Sequence, residues 1–72
     1  MGVVWDTGAF TLFFADHIVA KTYMREMISG RVKGYVLRII MAEFFYKVCQ
    51  KFGKDVALVR LALIRRTGIC EE

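Results

Sequence analysis

Apolar and polar positions fall along the chain in blocks whose periods differ. Val3-Val4-Trp5 is a short apolar run of β-branched and aromatic residues that ends on Asp6, and apolar residues resume at Phe10 after Thr7-Gly8-Ala9. This predicts a buried strand, a turn, and a helical segment beyond it. Val19, Ala20, Tyr23, Met24, Met27 and Ile28 then recur at helical spacing, with Lys21, Thr22, Arg25 and Glu26 opposite them. That stripe predicts a surface helix from about His17 to Ser29, capped by Asp16, stopped at Gly30 and covering a core with Met24 and Met27. Arg31-Val32-Lys33-Gly34 reads as a polar connection and Tyr35-Val36-Leu37 as a second strand. Strand, helical segment, strand is an order that calls for a right-handed crossover and a parallel pair.

The third block is broader. The apolar residues from Ile39 to Phe52 cover a wide arc and leave Glu43, Lys47, Gln50 and Lys51 as a narrow polar strip, which predicts a helix from Arg38 to Phe52 ended by a left-handed cap at Gly53. Asp55 is then read as the cap of a last helix running to about Thr67, before Gly68. From Val56 to Ile64 eight of nine residues are apolar, Arg60 being the exception. A helix apolar on every side needs cover on every side, which implies self-association or a missing half. Arg60, Arg65 and Arg66 do not share a face, so they read as solvated helix-end charges and make a weak nucleic-acid track. Ile69-Cys70 is placed as the start of a third strand, with Glu71-Glu72 as a solvated tail.

Composition sharpens the case for a partner. The chain has 72 residues, one small domain, and is 57% hydrophobic, against roughly 45–50% with glycine included in ordinary globular proteins. Domains near this size bury only about 60% of the surface that the unfolded chain exposes. Cys49 and Cys70 form no close pair and His17 is the only histidine, so neither a disulfide framework nor a zinc knot is expected. No apolar run approaches the ~18 residues of a transmembrane helix. A basic leader and lipidation motifs are missing as well, and the expectation is a cytoplasmic chain with reduced thiols that makes no membrane contact. The net charge of +4 is compatible with a phosphate backbone as partner without requiring one.

Two acids stand out by position. Asp6 closes the first strand and Glu43 lies just after the second, so in a parallel sheet both fall at the edge where strand carboxyl ends line a crevice. Each has a plainer role: Asp6 with Thr7 as a helix cap, and Glu43 as an exposed ion pair with Lys47 four residues on. Together they offer the oxygen ligands that magnesium or manganese takes, with waters and a substrate phosphate completing the shell.

These segments resemble the amino-terminal half of a PIN-domain ribonuclease, the family that includes the toxin of many prokaryotic toxin-antitoxin pairs. Val3-Val4-Trp5-Asp6-Thr7-Gly8-Ala9-Phe10 is similar to the family's opening strand with its first metal-binding aspartate. Gly30-Arg31-Val32 through Leu37, then Met41-Ala42-Glu43-Phe44, is similar to its second strand and acid-bearing helix. The resemblance covers nearly all of residues 1–72. It implies an α/β, truncated PIN-like (Rossmann-like) half-domain with short parallel strands and about four helices. It also implies Mg2+- or Mn2+-dependent cleavage of single-stranded RNA, with Asp6 and Glu43 as catalytic metal ligands and Thr7 as a supporting hydroxyl. Two departures go with it: Leu37-Arg38 replaces the usual Ser-Pro at the start of the helix bearing Glu43, and the family's third and fourth acids belong to a carboxyl-terminal half that is not matched here. Three readings follow. The first is a self-associating PIN-like half-domain with weak or no activity alone; the second is a ribonuclease active as a homodimer or with a separately encoded second half; the third is a small helical interaction module. The partners that these imply are a second copy, RNA, and an antitoxin or the missing half-domain.

Overall fold

A computed structural model describes residues 2–72 of the chain. Gly2–Trp5 forms strand β1, and helix α1 (Thr7–Phe14) follows it without an intervening turn. The expected turn at Thr7-Gly8-Ala9 is instead the first turn of α1, because the Asp6 carboxylate accepts the Ala9 amide at 2.8 Å and so supplies the cap that lets the helix begin at once. Asp16 does not cap the next helix. It has φ 63°, with its own amide donating to the Phe13 carbonyl and the His17 amide to that of Leu12, and thereby ends α1 in a Schellman turn. Aspartate is one of the few types besides glycine that enters this region at modest cost. Helix α2 (Ile18–Ile28) then starts from His17, which makes no side-chain cap, and ends at Gly30 with φ 83° in the same kind of turn.

Strand β2 covers Lys33–Val36, two residues earlier at its start than the apolar run implied, and Leu37 belongs to the entry of helix α3 (Arg38–Phe52). Gly34 is a strand residue for a packing reason: a Cβ there would overlap the Met27 Sδ. Gly53, with φ 95° and ψ 166°, is the single joint between α3 and helix α4 (Lys54–Arg66). Its extended ψ makes it a sharp turn open to glycine and not a left-handed cap, and Asp55 sits in the first turn of α4 instead of before it. Strand β3 is Cys70–Glu71.

The three strands form one parallel sheet in the order β1-β2-β3, with Trp5 level with Val36 and Val36 level with Glu71. The chain is thus an α/β protein with four helices. Glu71 and Glu72 are not a solvated tail. Glu71 receives two bonds from the Arg65 guanidinium at 3.2 and 3.3 Å, and the Glu72 backbone donates to the Val36 carbonyl and accepts the Arg38 amide. That last bond satisfies a first-turn amide of α3 that Leu37 has no side chain to reach.

Trp5, Phe10, Met24, Met27, Val36, Met41, Phe44, Val48, Ala57, Ile64 and Ile69 make the core, in which no charged or polar residue of the described chain is buried. The apolar surplus is not all absorbed. Val4, Ile18 and Ile39 each remain at least 72% exposed, and Leu58, Val59 and Leu63 leave one side of α4 apolar and open. Among the described residues no helix is long and apolar enough to cross a membrane.

Candidate functional site

Parallel pairing sets the carboxyl ends of β1 and β2 level, which puts Asp6 and the start of α3 at one rim of the sheet. Aromatic packing fixes the rest. Phe10 stands one turn beyond Thr7 and Phe44 one residue beyond Glu43; their rings meet at 5.3 Å, with Trp5 stacked on Phe10 at 5.4 Å and Phe14 on Phe44 at 5.7 Å. This chain of rings ties β1, α1 and α3 into one register. In that register the Thr7 hydroxyl donates to Glu43 Oε1 at 3.0 Å, a contact between residues 36 apart in sequence.

The same oxygen of Glu43 takes a second contact, from the Lys47 ammonium with Nζ at 3.3 Å. The ion pair expected on the helix surface is therefore present, and it coexists with the Thr7 bond. Glu43 is held below the ordinary carboxylate range by the Thr7 hydroxyl first, then by hydrogen bonding to Lys47 and by its charge. Because the folded carboxyl has the lower pKa, these contacts favour the fold at neutral pH. Their contribution is lost as pH falls through that depressed value. Thr7→Val is expected to move the Glu43 titration back toward the ordinary range, with Lys47 still in place. Side-chain carboxyl NMR across an acid titration checks it, and an unchanged Glu43 midpoint would show the Thr7 bond to be absent in solution.

Asp6 serves as both cap and rim carboxylate: Oδ1 is committed to Ala9, and Asp6, Thr7 and Lys47 line one shallow depression. The carboxylates of Asp6 and Glu43 and the Thr7 hydroxyl are donor types that a hard divalent cation takes, but Thr7 is what links the two acids, and Glu43 does not line the depression. The donor number is small, since no cluster of three or more His, Cys, Asp or Glu side chains is found among the described residues. Lys47 also competes for Glu43. A cation held here would depend on a substrate phosphate or a further chain to complete its shell.

Other residues singled out in the sequence lie elsewhere. Met24 and Met27 are core, His17 sits at the head of α2, and Cys49 and Cys70 are free thiols on separate elements. Arg60 is misjudged as a solvated charge. Its guanidinium lies 4.9 Å from the Phe14 ring centroid and 4.6 Å from that of Phe52, and the one clue in the sequence was its isolation within an apolar run. Compared with known proteins, the chain matches no protein-family model, no curated protein and no solved structure.

Proposed function

We propose that the chain is a PIN-like relative of the metal-dependent ribonucleases, self-associating and weakly active by itself, in which Asp6 and Glu43 form half of a divalent-cation site. The observation that carries this reading is the Thr7–Glu43 hydrogen bond, which joins the residue after Asp6 to the acid of α3 at the carboxyl-end rim of the sheet. Asp6 and Glu43 would hold Mg2+ or Mn2+, and Thr7 would orient the Glu43 carboxylate. A bound ion supplies Lewis acidity toward a phosphoryl oxygen and an acidified water. In this reading the chain works in the cytoplasm on single-stranded RNA.

Self-association is supported by the free edge of β1. Among the described residues that strand pairs only with β2, and beside it lies an apolar hollow of about 160 Å³ lined by Val4, Trp5, Leu12, Val19 and Tyr23. Trp5 is 2% exposed and its indole Nε1 has no hydrogen-bond partner among the described residues, an unusual state for a buried donor. A strand of a second copy, paired to β1, would cover the hollow and continue the sheet. An antitoxin or a separately encoded half-domain would dock on the same edge.

The test combines mass, metal and activity. Light scattering at micromolar concentration is expected to give a dimer, and Val4→Glu a monomer. Manganese titration is expected to broaden the amide signals of Asp6, Thr7 and Glu43, and cleavage of an unstructured oligoribonucleotide to fall by about 100-fold or more in Asp6→Ala and Glu43→Ala. A well-folded wild-type monomer, or manganese broadening that ignores all three residues, overturns the reading. Cleavage surviving both substitutions would come from another site.

A further inference from the structure

Arg60 is the only charged residue in the stretch Val56–Ile64, and it is half-buried against two aromatic rings. A guanidinium keeps its charge at any physiological pH and carries five N–H donors in a plane. Ring contacts use its π-faces and satisfy none of those donors. No carboxylate pairs with it among the described residues. Asp55 lines a neighbouring hollow with Arg60 and Phe14 but forms no ion pair with it.

The donors border a hollow of about 250 Å³ between α1, α3 and α4, whose lining includes Lys47, Lys51 and Arg60 together with Phe14, Phe44 and Phe52. No acidic side chain lines it. Lys47 and Lys51 are one helical turn apart on α3, an arrangement in which like charges disfavour each other. Lys47 already has the Glu43 carboxylate at 3.3 Å, whereas Lys51 and Arg60 have no carboxylate partner among the described residues, and bringing Arg60 from α4 beside Lys51 is unfavourable unless a further anion joins them. Phe52 supplies a half-exposed ring, with Lys51 Nζ 5.4 Å from its centroid. Lys47 and Thr11 also line the depression that holds Asp6 and Thr7, so the hollow adjoins the acidic rim.

We propose that this hollow is a subsite for single-stranded RNA, with Arg60, Lys47 and Lys51 on a phosphodiester and Phe52 under the adjacent base. The cations account for the phosphate and the aromatic wall for the base. Paired bases keep their faces stacked inside a duplex, whereas an unpaired base can be splayed onto a ring. The proposal rests on the nuclease reading for what happens at the rim, while binding in the hollow needs no metal.

The experiment is fluorescence anisotropy of a labelled oligouridylate in EDTA, which separates the two readings. Arg60→Gln combined with Lys51→Gln is expected to weaken binding by at least about tenfold and to flatten the salt dependence by about 0.7 in log–log slope for each lost contact. Lys33→Gln, which removes a charge from β2 outside both hollows, is expected to change affinity less than about twofold. Phe52→Leu is expected to weaken binding by about fivefold or more through lost stacking. Arg60→Lys, with circular dichroism on every variant, guards against a folding defect. It should bind better than Arg60→Gln, because it keeps the charge. Equal effects of Lys33→Gln and the double variant overturn the subsite, as does wild-type protein that fails to bind. Competition by duplex RNA or inorganic polyphosphate as effective as that by the single strand, at equal phosphate concentration, overturns it too, because charge alone would then explain binding. Binding in EDTA lost only in the Arg60–Lys51 variants, with no cleavage under any metal, would uphold the subsite and remove the nuclease reading alone.

Discussion

Phe10→Ala is expected to cost about 3–5 kcal/mol of folding stability, the range for removing a fully buried aromatic ring. Phe10 is 0% exposed and stands between Trp5 and Phe44, so its loss empties the centre of the core and severs the only aromatic link from β1 to α3. A 72-residue domain has a total stability of about 4–11 kcal/mol. The substitution therefore takes about a quarter of it at least and can take all of it. The neighbouring surface gives the control: Ile18, 76% exposed on α2, is expected to tolerate alanine within about 0.5 kcal/mol. Urea unfolding followed by tryptophan fluorescence, with Trp5 as the single reporter, measures both. The functional consequence follows from the same packing. Phe10 and Phe44 set the register in which Thr7 meets Glu43, so a Phe10→Ala protein that remains folded is expected to lose the depressed titration of Glu43. Matching unfolding midpoints for wild type and Phe10→Ala would show that the ring chain does not organise the domain.

How much of this was legible in the sequence depends on the range of the interaction involved. Periodicity is local, and it located α3 from Arg38 to Phe52, the stop of α2 at Gly30 and the strand ending at Trp5, because each rests on residues within a turn or two. Asp6 and Glu43 are singled out by following the two strands, but the contact that reaches Glu43 comes from Thr7, which the sequence offers only as a supporting hydroxyl. Polar residues with more than one possible partner were harder to place. Asp16 next to an apolar stripe fits an N-cap, yet the end of α1 needed a residue in the left-handed region and took it. Thr7-Gly8-Ala9 looks like a turn until the Asp6 carboxylate is seen to start a helix there. A third strand is expected at Ile69-Cys70, but its continuation into Glu71 and the backbone bonds of Glu72 depend on β2 and α3, which lie far away in sequence. Arg60 was misread because its neighbours in space come from α1 and α3, and no spacing rule within α4 connects it to Phe14, Lys47 or Lys51.

Gly34→Ala and Met27→Ala are each expected to destabilise the domain, and together by clearly less than their separate costs combined. Sequence alone reads Gly34 as a loop residue, because glycine weakens strand interiors. In the structure it is buried, pairs with Val3 in register and faces Met27, whose side chain fills the volume that a Cβ would need. Adding the methyl forces Met27 out of a site where it is 6% exposed, an overpacking cost of about 1–3 kcal/mol. Removing the Met27 side chain alone leaves a cavity against β2, at about 2–5 kcal/mol. With both changes the new methyl occupies part of that cavity, so the two costs overlap. The expected coupling is about 1–3 kcal/mol in favour of the double variant. Urea denaturation of the four proteins in the cycle reads it directly. Simple additivity would mean that Met27 already swings clear of β2 in solution, in which case the close approach of α2 to the sheet is not what calls for glycine at position 34. Coupling of the expected size would tie the seating of β2, and with it the level of the rim bearing Glu43, to a single methionine on α2.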